Sequence, residues 1–185
     1  MNVVCFGDSN TWGYDPRDFF GGPYDAPWPA LLAQKTGWTV QNQGENGREI
    51  PTGHTDLPEN TDLLMIMLGT NDLLQGREVE AIAKRMDTFL RSLSISRDRI
   101  LLVAPPRMRP GTWVTDPCLT ELSAYMAASF RDLALQLGVF FADSHRWNIP
   151  IAYDGVHLTE EGHHRFAEGI HHYLTKELSI CCRPE

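Results

Sequence analysis

The sequence predicts an α/β fold: a doubly wound parallel sheet with helices on both faces. Three observations carry this expectation. Short, nearly continuous apolar runs recur along the chain, as strands buried on both faces require. Segments with helical periodicity alternate with those runs. The runs also stop abruptly at polar turns, Gly7-Asp8-Ser9 and Gly69-Thr70-Asn71-Asp72 foremost. Right-handed crossovers then leave only a few strand orders open.

Val3-Val4-Cys5-Phe6 reads as the first strand and ends at Gly7-Asp8-Ser9. Asp8-Ser9-Asn10-Thr11 also reads as an ordinary helix N-cap, since such residues accept the first free backbone N–H groups. Trp12 to Pro29 is a loop rich in Gly, Pro and aromatics, of the kind that is usually functional or mobile. Pro29 starts a short helix, Ala30 to Lys35, which Gly37 ends. Trp38-Thr39-Val40 is a second strand, leading into a polar turn from Asn42 to Gly47 whose two glycines permit unusual backbone angles. Leu63 to Leu68 is the strongest strand signal. Val79, Ile82, Ala83, Met86, Phe89, Leu90 and Leu93 then recur at helical spacing, giving an amphipathic helix over 78–94. Ile100 to Ala104 is a strand closed by Pro105-Pro106. An irregular stretch holding Arg107, Arg109 and Trp113 leads to Asp116-Pro117, an N-cap followed by Pro at the first helical position. That helix runs to Leu137, where Gly138 suits the C-terminal cap. Val139 to Ala142 is the last strand. A loop through Trp147 and Pro150 reaches Asp154-Gly155-Val156-His157, and Thr159 caps a final helix from Glu160 to Leu178. All five strands read as buried. With no internal repeat or linker, residues 1–185 form one domain, and 179–185 are expected to be a loosely ordered tail.

Composition narrows the function. The 185 residues are enough to bury roughly two-thirds of the unfolded surface. A net charge of -8 argues against nucleic acid or an anionic membrane as partner, because both attract basic surfaces. The four cysteines, Cys5, Cys118, Cys181 and Cys182, form no CxxC, so reduced thiols are the simplest account. A strand that starts at residue 3 leaves no room for a secretory signal, and no apolar run can span a bilayer, so the expected location is cytoplasmic.

In a parallel sheet all strand C-termini face one edge, so turns far apart in sequence converge there. Acyl transfer to a side chain needs a hydroxyl, a base to take its proton and a group to orient that base. It also needs donors aimed at the oxyanion. Ser9 supplies the nucleophile, His157 the base and Asp154 the orienting acid. The Asn71 side chain with the backbone N–H groups of Ser9 and Gly47 supplies the oxyanion hole.

Gly7-Asp8-Ser9, Gly47, Gly69-Thr70-Asn71-Asp72 and Asp154-Gly155-Val156-His157 resemble, in order and position over nearly the whole chain, the four blocks of the SGNH (GDSL-type) hydrolase family. The resemblance implies a flavodoxin-like, three-layer α/β/α fold with strand order 2-1-3-4-5. It also implies a metal-independent esterase, thioesterase or related acyl hydrolase that needs no cofactor and acts on a small-molecule ester. Family roles carry over to Ser9, Asp154 and His157, and to the Ser9 and Gly47 backbone and Asn71 as oxyanion donors. Two departures matter. Asn10 replaces the commoner leucine, which alters the expected pocket floor. The second block offers both Gly44 and Gly47, of which Gly47 fits the Asn-x-x-x-x-Gly pattern beginning at Asn42. The run from Phe6 to Tyr14 is also similar to small bacterial arylesterases and perhydrolases of the family.

Asp8, Asn10, Trp12 and Trp113 are the candidate pocket residues. Tyr14, Trp28 and Trp147 also lie in loops near the expected active edge, where aromatics suggest an apolar acyl or aryl pocket. His163-His164 and His171-His172 are two turns apart on one helix, wider than helical zinc ligands prefer, so they read as a solvated face and no metal is expected. A second copy packed over loops 12–29, 48–62 and 105–116 would narrow the site, so a homo-oligomer is possible. A flavin- or nucleotide-binding module is disfavoured because no GxGxxG or P-loop follows the first strand. A non-catalytic acyl or carbohydrate binder on the same fold is the remaining alternative.

Overall fold

The apolar runs put side chains on both sides of the backbone, so both faces of the resulting sheet have to be covered. The computed structural model, which describes residues 1–18, 20, 22–53 and 55–179, shows how this is done. Strands β1 (Asn2–Gly7), β2 (Thr39–Gly44), β3 (Leu63–Met67), β4 (Ile100–Ala104) and β5 (Phe140–Asp143) form one sheet in the order β2-β1-β3-β4-β5. Every neighbouring pair is parallel. Order and direction are those the sequence and its family resemblance led us to expect.

Alternate residues of one strand serve different cores. Val4, Phe6, Leu64 and Ile66 pack with Ile82, Met86, Phe89 and Phe130, which come from α4 (Val79–Ser92) and α5 (Cys118–Leu137). Val3, Cys5, Leu63 and Met65 pack on the opposite face with Trp28, Leu32, Phe166 and Ile170. Those four belong to α2 (Trp28–Thr36) and α6 (Glu160–His172). The sheet is therefore the middle of three layers. Two short helices, α1 (Ser9–Trp12) and α3 (Thr70–Leu74), follow β1 and β3 directly at the C-terminal edge.

Several boundaries differ from expectation for local reasons. The second strand is not Trp38–Val40 but runs through the polar segment to Gly44, paired with β1 along its length from Asn2↔Thr39 to Gly7↔Gly44. It is also not buried: Thr39, Gln41 and Asn42 are exposed, because β2 is an edge strand. Helix α2 starts two residues early, at Trp28, since Pro is tolerated anywhere in a first turn whose N–H groups lack partners. Asp116 does cap α5, its Oδ1 accepting from the Cys118 N–H at 2.8 Å. Thr159 caps α6 through the Gly162 N–H, and that helix passes at Tyr173–Glu177 into a wider π turn. Cys5 is buried in β1 and Cys118 exposed, both as free thiols. The Cys181-Cys182 pair and all but the first residue of the expected 179–185 tail lie outside the described residues. Among the described residues no helix is long and apolar enough to cross a membrane.

Candidate active site

β1 ends at Gly7, in register with Gly44 of β2 and Met67 of β3, so the turns beyond all three strands open at one level. The first turn is built by Asp8. Its Oδ1 accepts from the Asn10 N–H at 3.0 Å, and its carbonyl accepts from the N–H groups of Thr11 and Trp12. This capped turn winds α1 immediately and points the Ser9 hydroxyl across the strand ends. Asp8 itself is buried beneath, and burial pushes its carboxyl up to about 6 against the pull of the Asn10 N–H, His157, Thr70 and Arg48.

The loop before α6 brings the partner. His157 Nε2 lies 2.9 Å from Ser9 Oγ, and His157 Nδ1 lies 2.7 Å from Asp154 Oδ2. Asp154 Oδ1 accepts from the backbone N–H groups of Val156 and His157, both at 2.9 Å. Burial raises the Asp154 carboxyl, but the hydrogen bonds from the His157 ring and from those two amides outweigh it and hold the group below its ordinary value. Asp154 therefore stays ionised and can only accept. This places the ring proton on Nδ1 and turns the Nε2 lone pair toward the Ser9 hydroxyl. Such a chain can receive the hydroxyl proton as the oxygen attacks a carbonyl. All three residues are nearly fully buried, at 6% exposure or less, which strengthens each of these electrostatic contacts.

The third group is the turn after β2. Gly44 cannot serve as a free donor, because its N–H is taken by Asn42 Oδ1 at 2.8 Å. A Cβ there would also lie 2.1 Å from the Trp12 nitrogen, so Gly44 is glycine to let β2 approach α1. Gly47 sits at φ +75°, with open space where a side chain would be. Asn71, in the first turn of α3, donates one N–H of Nδ2 to the Arg48 carbonyl at 3.0 Å, leaving its second N–H available.

Arg48 has no counterpart in the sequence reasoning. Its guanidinium donates to the Gly7 carbonyl at 2.9 Å and to the Gln43 carbonyl, pairs with Glu45 at 2.6 Å, and stacks 4.3 Å from the Phe6 ring centre. It thus ties together the ends of β1 and β2 while its carbonyl aligns Asn71. Nothing local marks it, since an Arg after Asn-Gly reads as an ordinary surface turn. Downstream, Asp72 Oδ2 accepts from the Ile50 N–H at 2.9 Å, and Arg77 and Arg85 both pair with Glu49, so the 45–50 loop is pinned to α3 and α4.

The pocket candidates separate. Trp113 is half exposed and sets its ring edge-on, 5.0 Å from the His157 ring, while Tyr14 lies 4.5 Å from the same ring. These two form an aromatic wall. Trp12 ends α1, half-buried, with its backbone against Gly44. Asp8 and Asn10, at 1% and 2% exposure, lie below the site and not on its wall: both ends of the Asn10 amide are taken by backbone groups, and Asp8 Oδ1 accepts from the Asn10 N–H. Trp28 and Trp147 are not pocket residues either; both pack on Phe166 in the α2–α6 layer. The reading of the histidine pairs as a solvated face fails at His163. That ring is 1% exposed, its Nδ1 accepts from the Trp28 N–H, and burial lowers its pKa to about 3. Among the described residues no three His, Cys, Asp or Glu side chains converge as a metal site would need.

A model of the GDSL-like lipase/acylhydrolase family matches residues 5–165. Among solved structures, the native aryl esterase of M. smegmatis is 25% identical, with a TM-score of 0.72 over 92% of this chain and 98% of that one. A carbohydrate acetylesterase family member from Sinorhizobium meliloti is 24% identical, with a TM-score of 0.81 over 97% and 100%. A lipolytic G-D-S-L family protein from Veillonella parvula DSM 2008 is 21% identical, with a TM-score of 0.74 over 95% and 99%. The last two likenesses speak for the fold alone. A comparison with curated protein sequences returns no match.

Proposed function

We propose, from the premise that this chain belongs to the GDSL-like lipase/acylhydrolase family of ester hydrolases, that it cleaves small or medium acyl esters through a serine-bound acyl intermediate. The observation that supports this best is the continuous chain Asp154–His157–Ser9, with contacts of 2.7 and 2.9 Å. Ser9 Oγ attacks the ester carbonyl carbon while His157 Nε2 takes the hydroxyl proton, and Asp154 stabilises the imidazolium that forms. The negative charge on the carbonyl oxygen is met by the backbone N–H groups of Ser9 and Gly47 and the second N–H of Asn71. The C–O bond then breaks, and the alcohol leaves with the proton from Nε2. Water attacks the acyl-Ser9 ester, gives a proton to His157, and the carboxylic acid departs with Ser9 restored. Every proton is handled by the imidazole.

The aromatic wall favours substrates with a flat or apolar leaving group. An aryl ring laid against Trp113 gains offset or edge contacts that a short alkyl group does not. The likeness to the M. smegmatis aryl esterase is in keeping with this. The test is hydrolysis of p-nitrophenyl acetate, butyrate and octanoate by wild type and Ser9→Ala. Turnover that is lost in Ser9→Ala is expected, and the chain-length profile of the wild type sizes the acyl pocket. Turnover that survives in Ser9→Ala refutes the mechanism. Binding without turnover by the wild type points instead to a non-catalytic binder.

A further inference from the structure

Asn10 is the one position where the first block departs from the commoner leucine, and it is where the structure spends a buried amide. We propose that Asn10 is a positioning residue: its side chain ties the backbone on both sides of His157 to the turn that carries Ser9, and so sets the approach of Nε2 to Oγ. This rests on the roles given above to Ser9 and His157.

The geometry is reciprocal. Asn10 Nδ2 donates to the Val156 carbonyl at 3.2 Å, and Asn10 Oδ1 accepts from the Leu158 N–H at 2.9 Å. Only one orientation of the amide satisfies both, since the flipped one opposes donor to donor and acceptor to acceptor. Val156 and Leu158 are buried, so water does not replace these bonds when they are lost.

The sheet does not do this job. His157 precedes α6 and follows β5, and β5 is separated from β1 by β3 and β4. No strand register therefore links the His157 loop to Ser9. The other bonds to that loop run elsewhere. Arg109 N–H reaches the Gly155 carbonyl, Thr112 N–H the Tyr153 carbonyl and Trp113 N–H the Asp154 carbonyl. These fasten the loop to the segment beyond β4. Within the loop, Ala152 N–H bonds the His157 carbonyl. Besides the Ser9–His157 contact itself, the two bonds of Asn10 are those that join residues 154–158 to α1 among the described residues. Without them the loop keeps its shape but loses its backbone ties to α1, and what remains on that side is the Tyr153 hydroxyl donating to the Pro16 carbonyl at 2.7 Å, beyond that helix. A leucine cannot supply them, so a relative with leucine there must hold its histidine loop by other contacts.

The experiment compares wild type with Asn10→Leu, which keeps the branched shape without the amide, and Asn10→Ala, which cannot overpack. Two readouts are taken: steady-state hydrolysis of p-nitrophenyl butyrate, and the rate of covalent labelling by a fluorophosphonate, counted per folded molecule. A displaced base slows chemistry without touching substrate contacts. The expected result is kcat and the labelling rate falling together, by roughly 10- to 100-fold, with KM within about twofold. In wild-type protein, a scalar coupling across the hydrogen bond is also expected between the Leu158 amide nitrogen and the Asn10 side-chain carbonyl carbon. Variants that label and turn over at wild-type rates overturn the proposal, whatever happens to their Tm. Should neither variant fold, absence of that coupling in the wild type overturns it. A wild type that neither hydrolyses the ester nor labels at Ser9 refutes the esterase reading instead, so the two failures are distinguishable.

Discussion

Replacing Asp154 by asparagine is the sharpest test of the proposed chemistry, because the change is nearly isosteric and its consequence can be followed atom by atom. In the wild type Oδ1 takes two backbone N–H groups at 2.9 Å, and Oδ2 takes the ring N–H at 2.7 Å. The asparagine amide has one oxygen and one NH2. The two backbone donors claim the oxygen, which turns the NH2 toward His157 Nδ1. Donor cannot face donor, so the ring must accept there and carry its proton on Nε2 instead. Nε2 then presents an N–H to Ser9 Oγ and cannot take the hydroxyl proton. A base in the wrong tautomer costs roughly 10⁴-fold, the value known for another serine hydrolase, or about 5 kcal/mol of barrier. Folding suffers far less, since the amide keeps the two backbone bonds and a neutral group is cheaper to bury. The assay is kcat/KM on p-nitrophenyl butyrate together with thermal unfolding. A variant that folds like wild type yet loses three to four decades of kcat/KM is expected. A loss smaller than about tenfold in a folded variant refutes the role given to Asp154. The pH dependence of stability offers a second check. The wild-type carboxyl is held below its ordinary value, so its stabilisation is present above the unfolded pKa near 3.8 and disappears as pH falls through the folded one. Asp154→Asn lacks that loss.

Asn71→Ala removes the side-chain oxyanion donor and should lower kcat by roughly 10²- to 10³-fold with little change in KM; an unchanged kcat in steady-state assays rules out that role. His163→Gln tests the buried imidazole by urea unfolding at several pH values. With its pKa lowered from 6.5 to about 3, wild-type His163 contributes stability fully present above pH 6.5 and lost progressively as pH falls toward 3. Asp8, raised to about 6, acts the other way: its contribution is present below about 3.8 and lost as pH rises through 6. Because Asp8 is common to both proteins, the difference between wild type and His163→Gln isolates His163. That difference should swing against the wild type by about 2 kcal/mol between pH 7 and pH 4.5, and a flat difference would show that His163 can charge without penalty.

Whatever depends on neighbours in the chain is legible in the order of residues. The apolar runs at Val3, Leu63 and Ile100 specify doubly covered strands, the caps at Asp116 and Thr159 start their helices, and the turns at Ser9, Asn71 and Asp154 carry residue types suited to acyl transfer. Local propensity and period are enough for these, because each signal is contained within a few residues. The tertiary structure decided what depends on residues far apart. Whether β2 is buried follows from its place at the edge of the sheet, which its own composition does not disclose. That the Gly44 N–H is already taken follows from the Asn42 side chain, and that this position has to be glycine follows from the approach of α1. His163 is buried because α2 lays its N-terminus over that one face of α6. Arg48 and Asn10 hold groups that are distant in sequence or on other turns, and Asn10 reaches partners 146 and 148 residues away. A polar side chain in a turn looks alike in the sequence whether it meets water or a buried peptide group. Only the fold brings the peptide group to it, and that difference separates a pocket residue from a clamp.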